Sequence, residues 1–150
     1  MVVGLDEKDQ KILSELRQRS KATTRQIARK TLLPPTTIHN RIRRMVKEGI
    51  IRRFTVELDP DKVGRGFIAY ILISASIQAL KAKGRTQYDV VKELSRFDFI
   101  ERVDIVSGGT DIVAIVAVED VKEFDKVLLG KIQLIDGIEK TQSMVVIHRS

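Results

Sequence analysis

Thr23-Thr24-Arg25-Gln26-Ile27-Ala28-Arg29-Lys30-Thr31-Leu32-Leu33-Pro34-Pro35-Thr36-Thr37-Ile38-His39-Asn40-Arg41-Ile42-Arg43-Arg44-Met45 reads as two short helices separated by a proline break. Thr23 or Thr24 offers a hydroxyl to cap the first of them, in which Ile27 points to a core and Ala28 lets another helix cross closely. Pro34 cannot sit inside a helix, whereas Pro35 suits a first turn. The next helix therefore begins near Pro35 and runs through Ile38, Ile42 and Met45-Val46 to a stop at Gly49. Upstream, Asp6 caps a further helix whose Ile12, Leu13 and Leu16 recur at helical spacing, and polar Gln18-Arg19-Ser20-Lys21 connect the two. This is helix-turn-helix spacing.

Turning Ile38, Ile42 and Met45 inward leaves Thr36, Thr37, His39, Asn40, Arg41, Arg43 and Arg44 on the outer surface and flanks of the last helix. Arg pairs bidentately with guanine, Asn with adenine, and Thr with either or with a thymine methyl, so these are major-groove residue types. Thr24 and Arg25, at the start of the preceding helix, complete the expected DNA contacts. His39 fits a phosphate contact as well as a base edge. Arg52 and Arg53 fit either a small wing on the DNA backbone or an exposed strand. Charge supports the reading: the first 53 residues hold 14 of the 27 Lys and Arg against five acids, a net +9, while the rest of the chain nets −2. Positive charge this one-sided attracts polyanions, where solubility alone needs no such segregation.

The second half is organised differently. Phe54 to Leu58 alternates as a short strand, and Asp59-Pro60-Asp61 with Gly64 and Gly66 marks a hinge. The expected domains are 1–53, a linker strand and hinge over 54–66, and 67–150. In the last of these, Phe67 to Ile77 is nearly all apolar and Tyr88, Val91 and Leu94 trace a helix. Ile100 to Ser107 alternates, Asp111 to Val118 is apolar again, Val121, Phe124, Leu128 and Ile132 trace a second helix, and Ile138 to His148 closes the chain. That is a ferredoxin-like βαββαβ order, and the fold class is α+β. The two continuous apolar runs suit the central first and third strands; the two mixed runs suit the edges. Two helices cover only one face of such a sheet. The apolar residues on the other face therefore call for a partner, and a second copy of the same sheet is the expected one.

Zero Cys excludes disulfides and thiolate metal sites, and His39 and His148 stand alone, so no cofactor or metal is expected. No apolar run approaches the ~18 residues of a membrane span, and the chain is expected to be cytoplasmic.

Leu5-Asp6…Asp9…Ile12-Leu13…Leu16, Ile27-Ala28…Leu33-x-Pro35-x-Thr37-Ile38-x-x-Arg41-Ile42, Glu48-Gly49-Ile50-Ile51 and Asp59…Gly64 resemble the Lrp/AsnC, or feast/famine, family of transcription regulators. The resemblance implies a helix-turn-helix joined by a strand to a ferredoxin-like sensing domain, whose sheets pair into dimers and often into tetramers, octamers or larger assemblies. It also implies amino-acid effectors bound near a Gly-x-x-Asp loop, here Gly108-Gly109-Thr110-Asp111. Paired glycines free the backbone for close approach to a small ligand, and an acid at a strand entrance can meet an ammonium group; a plain hairpin turn with a capping Asp uses the same residues.

Departures from the family pattern carry their own expectations. Leu32 stands where the family uses Gly, so the turn is expected to use a non-glycine conformation, and Pro34 brings no capping oxygen where the family uses Ser. Gln78 to Gln87, with Lys81-Ala82-Lys83-Gly84-Arg85, is a longer and more basic connection than usual. Asp111 lacks the aromatic neighbour of many members. Two other classes fit the architecture less well. An enzyme resembling siroheme decarboxylases needs polar groups that hold a carboxylate-rich macrocycle and protonate carbon, and the sensing domain offers one histidine, His148. An RNA-binding sheet needs exposed aromatics, of which the central strands carry Phe67 and Tyr70 alone.

Overall fold

The computed structural model describes residues 4–149, and the chain divides into two compact units, Met1–Glu57 and Leu58–Ser150. The first unit is built of three helices, α1 (Glu7–Gln18), α2 (Thr24–Thr31) and α3 (Pro35–Lys47). Asp6 caps α1 through a capping box with Asp9, and Thr23 caps α2 through one with Gln26, so each pair satisfies two backbone N–H groups that a helix start leaves open. Ile12, Ile27, Ile38 and Met45 are buried together, one or two from each helix, with Leu16, Ala28 and Ile42 packed around them. This small core sets the crossing of the three helices.

Two expectations for this unit need correction. Leu32, at the end of α2, sits in the left-handed region with φ of 57°, so leucine adopts the conformation that glycine would take more easily. Residues Phe54–Leu58 form no strand: no segment of the described residues pairs with them, and Phe54, Val56 and Leu58 remain exposed. A lone extended segment has no ladder to join. Arg52 and Arg53 likewise lie on exposed irregular chain, without a wing hairpin among the described residues.

The second unit runs β1 (Phe67–Ala75), α4 (Ile77–Ala82), α5 (Gln87–Leu94), β2 (Ile100–Ile105), β3 (Ile112–Val118), α6 (Val121–Val127) and β4 (Ile138–Val145). The sheet is antiparallel in the order β2-β3-β1-β4, with the apolar strands β1 and β3 central. Ala69, Ile71, Ile73, Ile112, Ala114 and Val116 face the helices and are buried with Val90, Leu94, Phe124 and Val127. Alternation sends Tyr70 and Leu72, opposite Ile115 and Val113, to the other face. Met144 lies beside Tyr70 on that face, and Tyr70 and Met144 are exposed.

Details differ from the sequence expectation. The basic connection Gln78–Gln87 contains α4, which begins at Ile77 under a Ser76 cap; Lys83 pairs with Asp136 at 2.7 Å and Arg85 with Glu93 at 2.5 Å, so two of its cations are neutralised locally. The helices turn Val90 and Val127 inward, leaving Tyr88 and Val121 exposed. A helix of seven or eight residues buries only one narrow stripe, and packing against the sheet decides which. A π-helical turn, Leu128–Ile132, extends α6 and buries Ile132.

Candidate nucleic-acid interface and effector loop

The entry to α3 is shaped by three residues. Leu32 turns the chain in the left-handed region, Pro34 occupies the cap position without a side-chain hydrogen bond, and Pro35 starts the helix where no N–H partner is needed. Burial of Ile38 and Met45 then orients the helix. Thr36, His39, Asn40 and Arg43 are exposed, and Thr37 and Ile42 are half-buried. On α2, Arg25 is exposed and Thr24 half-buried. These side chains form an outward surface of hydroxyl, amide, imidazole and guanidinium groups, the set that can donate to phosphates and base edges.

Arg41 and Arg44, which helical spacing alone puts on the same surface, are engaged elsewhere. Arg41 Nη1 donates to both carboxylate oxygens of Asp6, at 2.8 and 2.7 Å, and to Asp9 Oδ1 at 2.9 Å. Arg44 Nη2 donates to Asp9 Oδ2 at 2.6 Å, and its Nε lies 3.8 Å from Glu48. Asp9 is fully buried, whereas the Arg44 side chain keeps 42% of its exposure. Burial pushes the Asp9 carboxyl up, but hydrogen bonds from Arg41, Arg44 and the Asp6 amide outweigh it and hold the group below its ordinary value. Asp6 is also held low, first by the Asp9 amide and then by Arg41.

Asp9 is the residue that the sequence reading left out of the site. A signal for it existed. Asp9, Ile12, Leu13 and Leu16 are spaced i, i+3, i+4 and i+7, so the acid falls on the apolar stripe of α1, where a carboxylate needs a cationic partner. An open groove lined by Leu13, Arg17, Ile51, Arg52 and Phe54 runs along α1, and none of the outward α3 residues lines it.

In the second unit, Gly108-Gly109-Thr110-Asp111 joins β2 to β3. Gly108 has φ of 137°, which excludes most side chains, and Gly108 and Gly109 are exposed. The other two residues are fixed. Thr110 Oγ1 donates to the Ile73 carbonyl at 2.9 Å and the Asp111 amide to the same carbonyl at 3.0 Å. The Asp111 carboxylate accepts from the Ala75 amide at 2.8 Å and from Gln87 Nε2 at 3.2 Å. It therefore ties the β3 entrance to the end of β1 and the start of α5. Gln87 is the loop's second partner that spacing did not reveal. Among the described residues no three His, Cys, Asp or Glu side chains gather as a metal site, and no helix is long and apolar enough to cross a membrane.

Comparison with known proteins gives matches along the chain. Residues 5–52 match the family model for winged helix-turn-helix DNA-binding, and residues 72–150 match that for the Lrp/AsnC ligand binding domain. The HTH-type transcriptional regulator PH0140 of Pyrococcus horikoshii is 34% identical over 96% of this chain and 87% of its own length. The HTH-type transcriptional regulator FL11 of the same organism is 33% identical over 98% of this chain and 92% of its own. The crystal structure of an AsnC family transcriptional regulator from Agrobacterium tumefaciens superposes with a TM-score of 0.83 at 28% identity, covering 97% of this chain and 92% of that one.

Proposed function

This chain belongs to the Lrp/AsnC family of DNA-binding transcriptional regulators, and from that premise we propose that it acts in the cytoplasm as a homo-oligomer binding a pseudo-palindromic operator. The observation that carries the reading is the outward surface of α3, where Thr36, His39, Asn40 and Arg43 stand exposed beside half-buried Thr37. Arg25 and Thr24, at the start of α2, supply contacts to the adjacent backbone. Dimerisation uses the sheet face that carries Tyr70, Leu72, Val113, Ile115 and Met144, apolar at its centre and bordered by the Arg102–Asp104 ion pair and Lys140. A two-fold dimer then presents one recognition helix per chain, and its half-sites lie about one helical turn, ~34 Å, or a multiple of it apart.

The second unit is a ligand-binding domain by family. We infer a small amino-acid effector held near Gly108-Gly109-Thr110-Asp111. Exposed glycines give the ligand access to backbone, while Asp111 supplies fixed negative charge whose oxygens already accept two internal hydrogen bonds. An enzyme resembling siroheme decarboxylases is not favoured, because the relatives are named as transcriptional regulators and His148 lies on exposed chain beyond β4.

Selection of bound fragments from random DNA, with and without each of the twenty amino acids, tests operator and effector together. An inverted repeat whose selection or occupancy changes with one amino acid is the expected result. Within it, Asn40→Ala should relax preference at one position per half-site, by about 1–3 kcal/mol if the amide reads a base edge. Recovery of unrepeated, unrelated fragments overturns the operator reading.

A further inference from the structure

The buried carboxylate of Asp9 lies behind the recognition helix and holds two of its three arginines. We propose that Asp9 withholds Arg41 and Arg44 from DNA phosphates, so that α3 meets the duplex with Arg43 as its guanidinium and with Thr36, His39 and Asn40 as its polar readers. The proposal rests on the reading of α3 as the recognition helix.

The geometry is a closed network. Asp9 Oδ1 takes Arg41, and Asp9 Oδ2 takes Arg44 and the Asp6 amide, the latter at 3.2 Å. Asp6, whose Oδ1 caps the Asp9 amide at 2.9 Å, offers both oxygens to Arg41. Two acids and two arginines thus cancel in place. The asymmetry between the two anions that compete for Arg44 decides where it stays. A phosphate contact at an exposed duplex surface is screened by salt and displaces a counterion. A fully buried carboxylate has no water to replace a departing cation, and uncompensated buried charge is strongly disfavoured. Arg41 is held more firmly still, by two carboxylates at once. Arg43 stands between them in sequence, points to solvent and has no ion pair among the described residues.

This arrangement has a consequence for specificity. Phosphate contacts strengthen binding to every sequence alike, whereas base contacts distinguish one site from another. Neutralising two arginines beneath α3 lowers affinity for random duplex without removing a base reader, and so widens the ratio of specific to non-specific binding. Asp9 is on this reading a positioning residue, acting through the arginines that it holds.

The test is the salt dependence of binding by the full chain to a mixed-sequence DNA duplex, read as the slope of log K against log salt. Arg43→Gln should flatten the slope by ~0.9 per bound chain, the value for one lost phosphate contact. Arg44→Gln, which leaves Asp9 paired with Arg41, should leave the slope unchanged. Asp9→Asn should steepen it by up to ~0.9 as Arg44 becomes available, Arg41 remaining on both oxygens of Asp6. If Asp9→Asn does not fold, the Arg43 and Arg44 variants decide between themselves. Equal flattening by Arg44→Gln and Arg43→Gln overturns the proposal while leaving α3 as the DNA-contacting helix. Failure of the parent chain to bind duplex at any salt overturns the recognition-helix reading and the proposal together.

Discussion

The Asp111 carboxylate accepts the backbone N–H of Ala75 at 2.8 Å, across 36 residues of sequence, where β1 ends in the register shift between Ser74 and Ala75. At that shift the ladder from β1 to β4 changes step, and a side chain just before the neighbouring strand β3 supplies the Ala75 amide with its acceptor. The loop carrying Asp111 is therefore part of the sheet's construction as well as a candidate ligand contact.

Asp111→Ala should for this reason lower the stability of the ligand-free protein by about 1–3 kcal/mol, the usual cost of leaving a partly buried donor without its acceptor. Denaturant unfolding followed by far-ultraviolet circular dichroism measures it. Unchanged stability in the absence of ligand, with loss of any effector-induced thermal shift, would assign the carboxylate to ligand binding alone.

Leu32→Gly should stabilise the first unit by about 0.5–1 kcal/mol. The left-handed conformation costs an L-residue roughly 1–2 kcal/mol, of which the greater backbone entropy of glycine in the unfolded chain takes back part. Leu32 is 89% exposed, so little packing is lost with its side chain. Leu32→Val should move the other way, since a β-branched side chain tolerates positive φ worst. A thermal melt of the two variants beside the parent gives both signs.

Acid should loosen the first unit through Asp9 and Asp6. Both carboxyls are held below their ordinary value of 3.8, so their protonated forms are favoured more in the unfolded chain than in the folded one. The stability they contribute is fully present above that ordinary value and falls away as pH drops through the lower folded values. Melting temperature recorded from pH 6 downward should decline below about pH 4. Asp9→Asn removes its share of the pH slope, and an unchanged slope in that variant would contradict the assignment.

Ile115→Lys should separate protomers without unfolding them. Ile115 pairs with Tyr70 in register on the face that the helices leave open, so a charge there falls on the proposed interface rather than on the core. Light scattering of the full chain should show a smaller species, with the melting transition still cooperative. A variant with the parent's mass would remove that face from the interface.

The helices and strands were legible because their causes are local. Asp6 and Thr23 cap helices through residues three positions ahead, Pro35 fixes its own φ, and the uninterrupted apolar runs of β1 and β3 mark strands buried on a core. The outward positions of Thr36, His39, Asn40 and Arg43 follow from helical periodicity once Ile38 and Met45 turn inward. Periodicity through Tyr88 and Val121 located α5 and α6 but not their buried faces, because in short helices a shift of one residue is decided by packing against the sheet.

By itself, then, the chain's order of residues determined the three N-terminal helices, the four strands of the sheet and the two-part architecture, though not α4 or the unpaired Phe54–Leu58, since capping, proline geometry and hydrophobic alternation act over a few residues. Only the tertiary structure decided what the charged groups do. Asp9 meets Arg41 and Arg44 across 32 and 35 residues, and Asp111 meets Ala75 and Gln87 across 36 and 24. No local rule reveals such pairs, because they form only when packed helices and strands bring distant segments within hydrogen-bond reach. Leu32 belongs with them: its backbone conformation is set by where α2 and α3 must pack, and its own side chain opposes it.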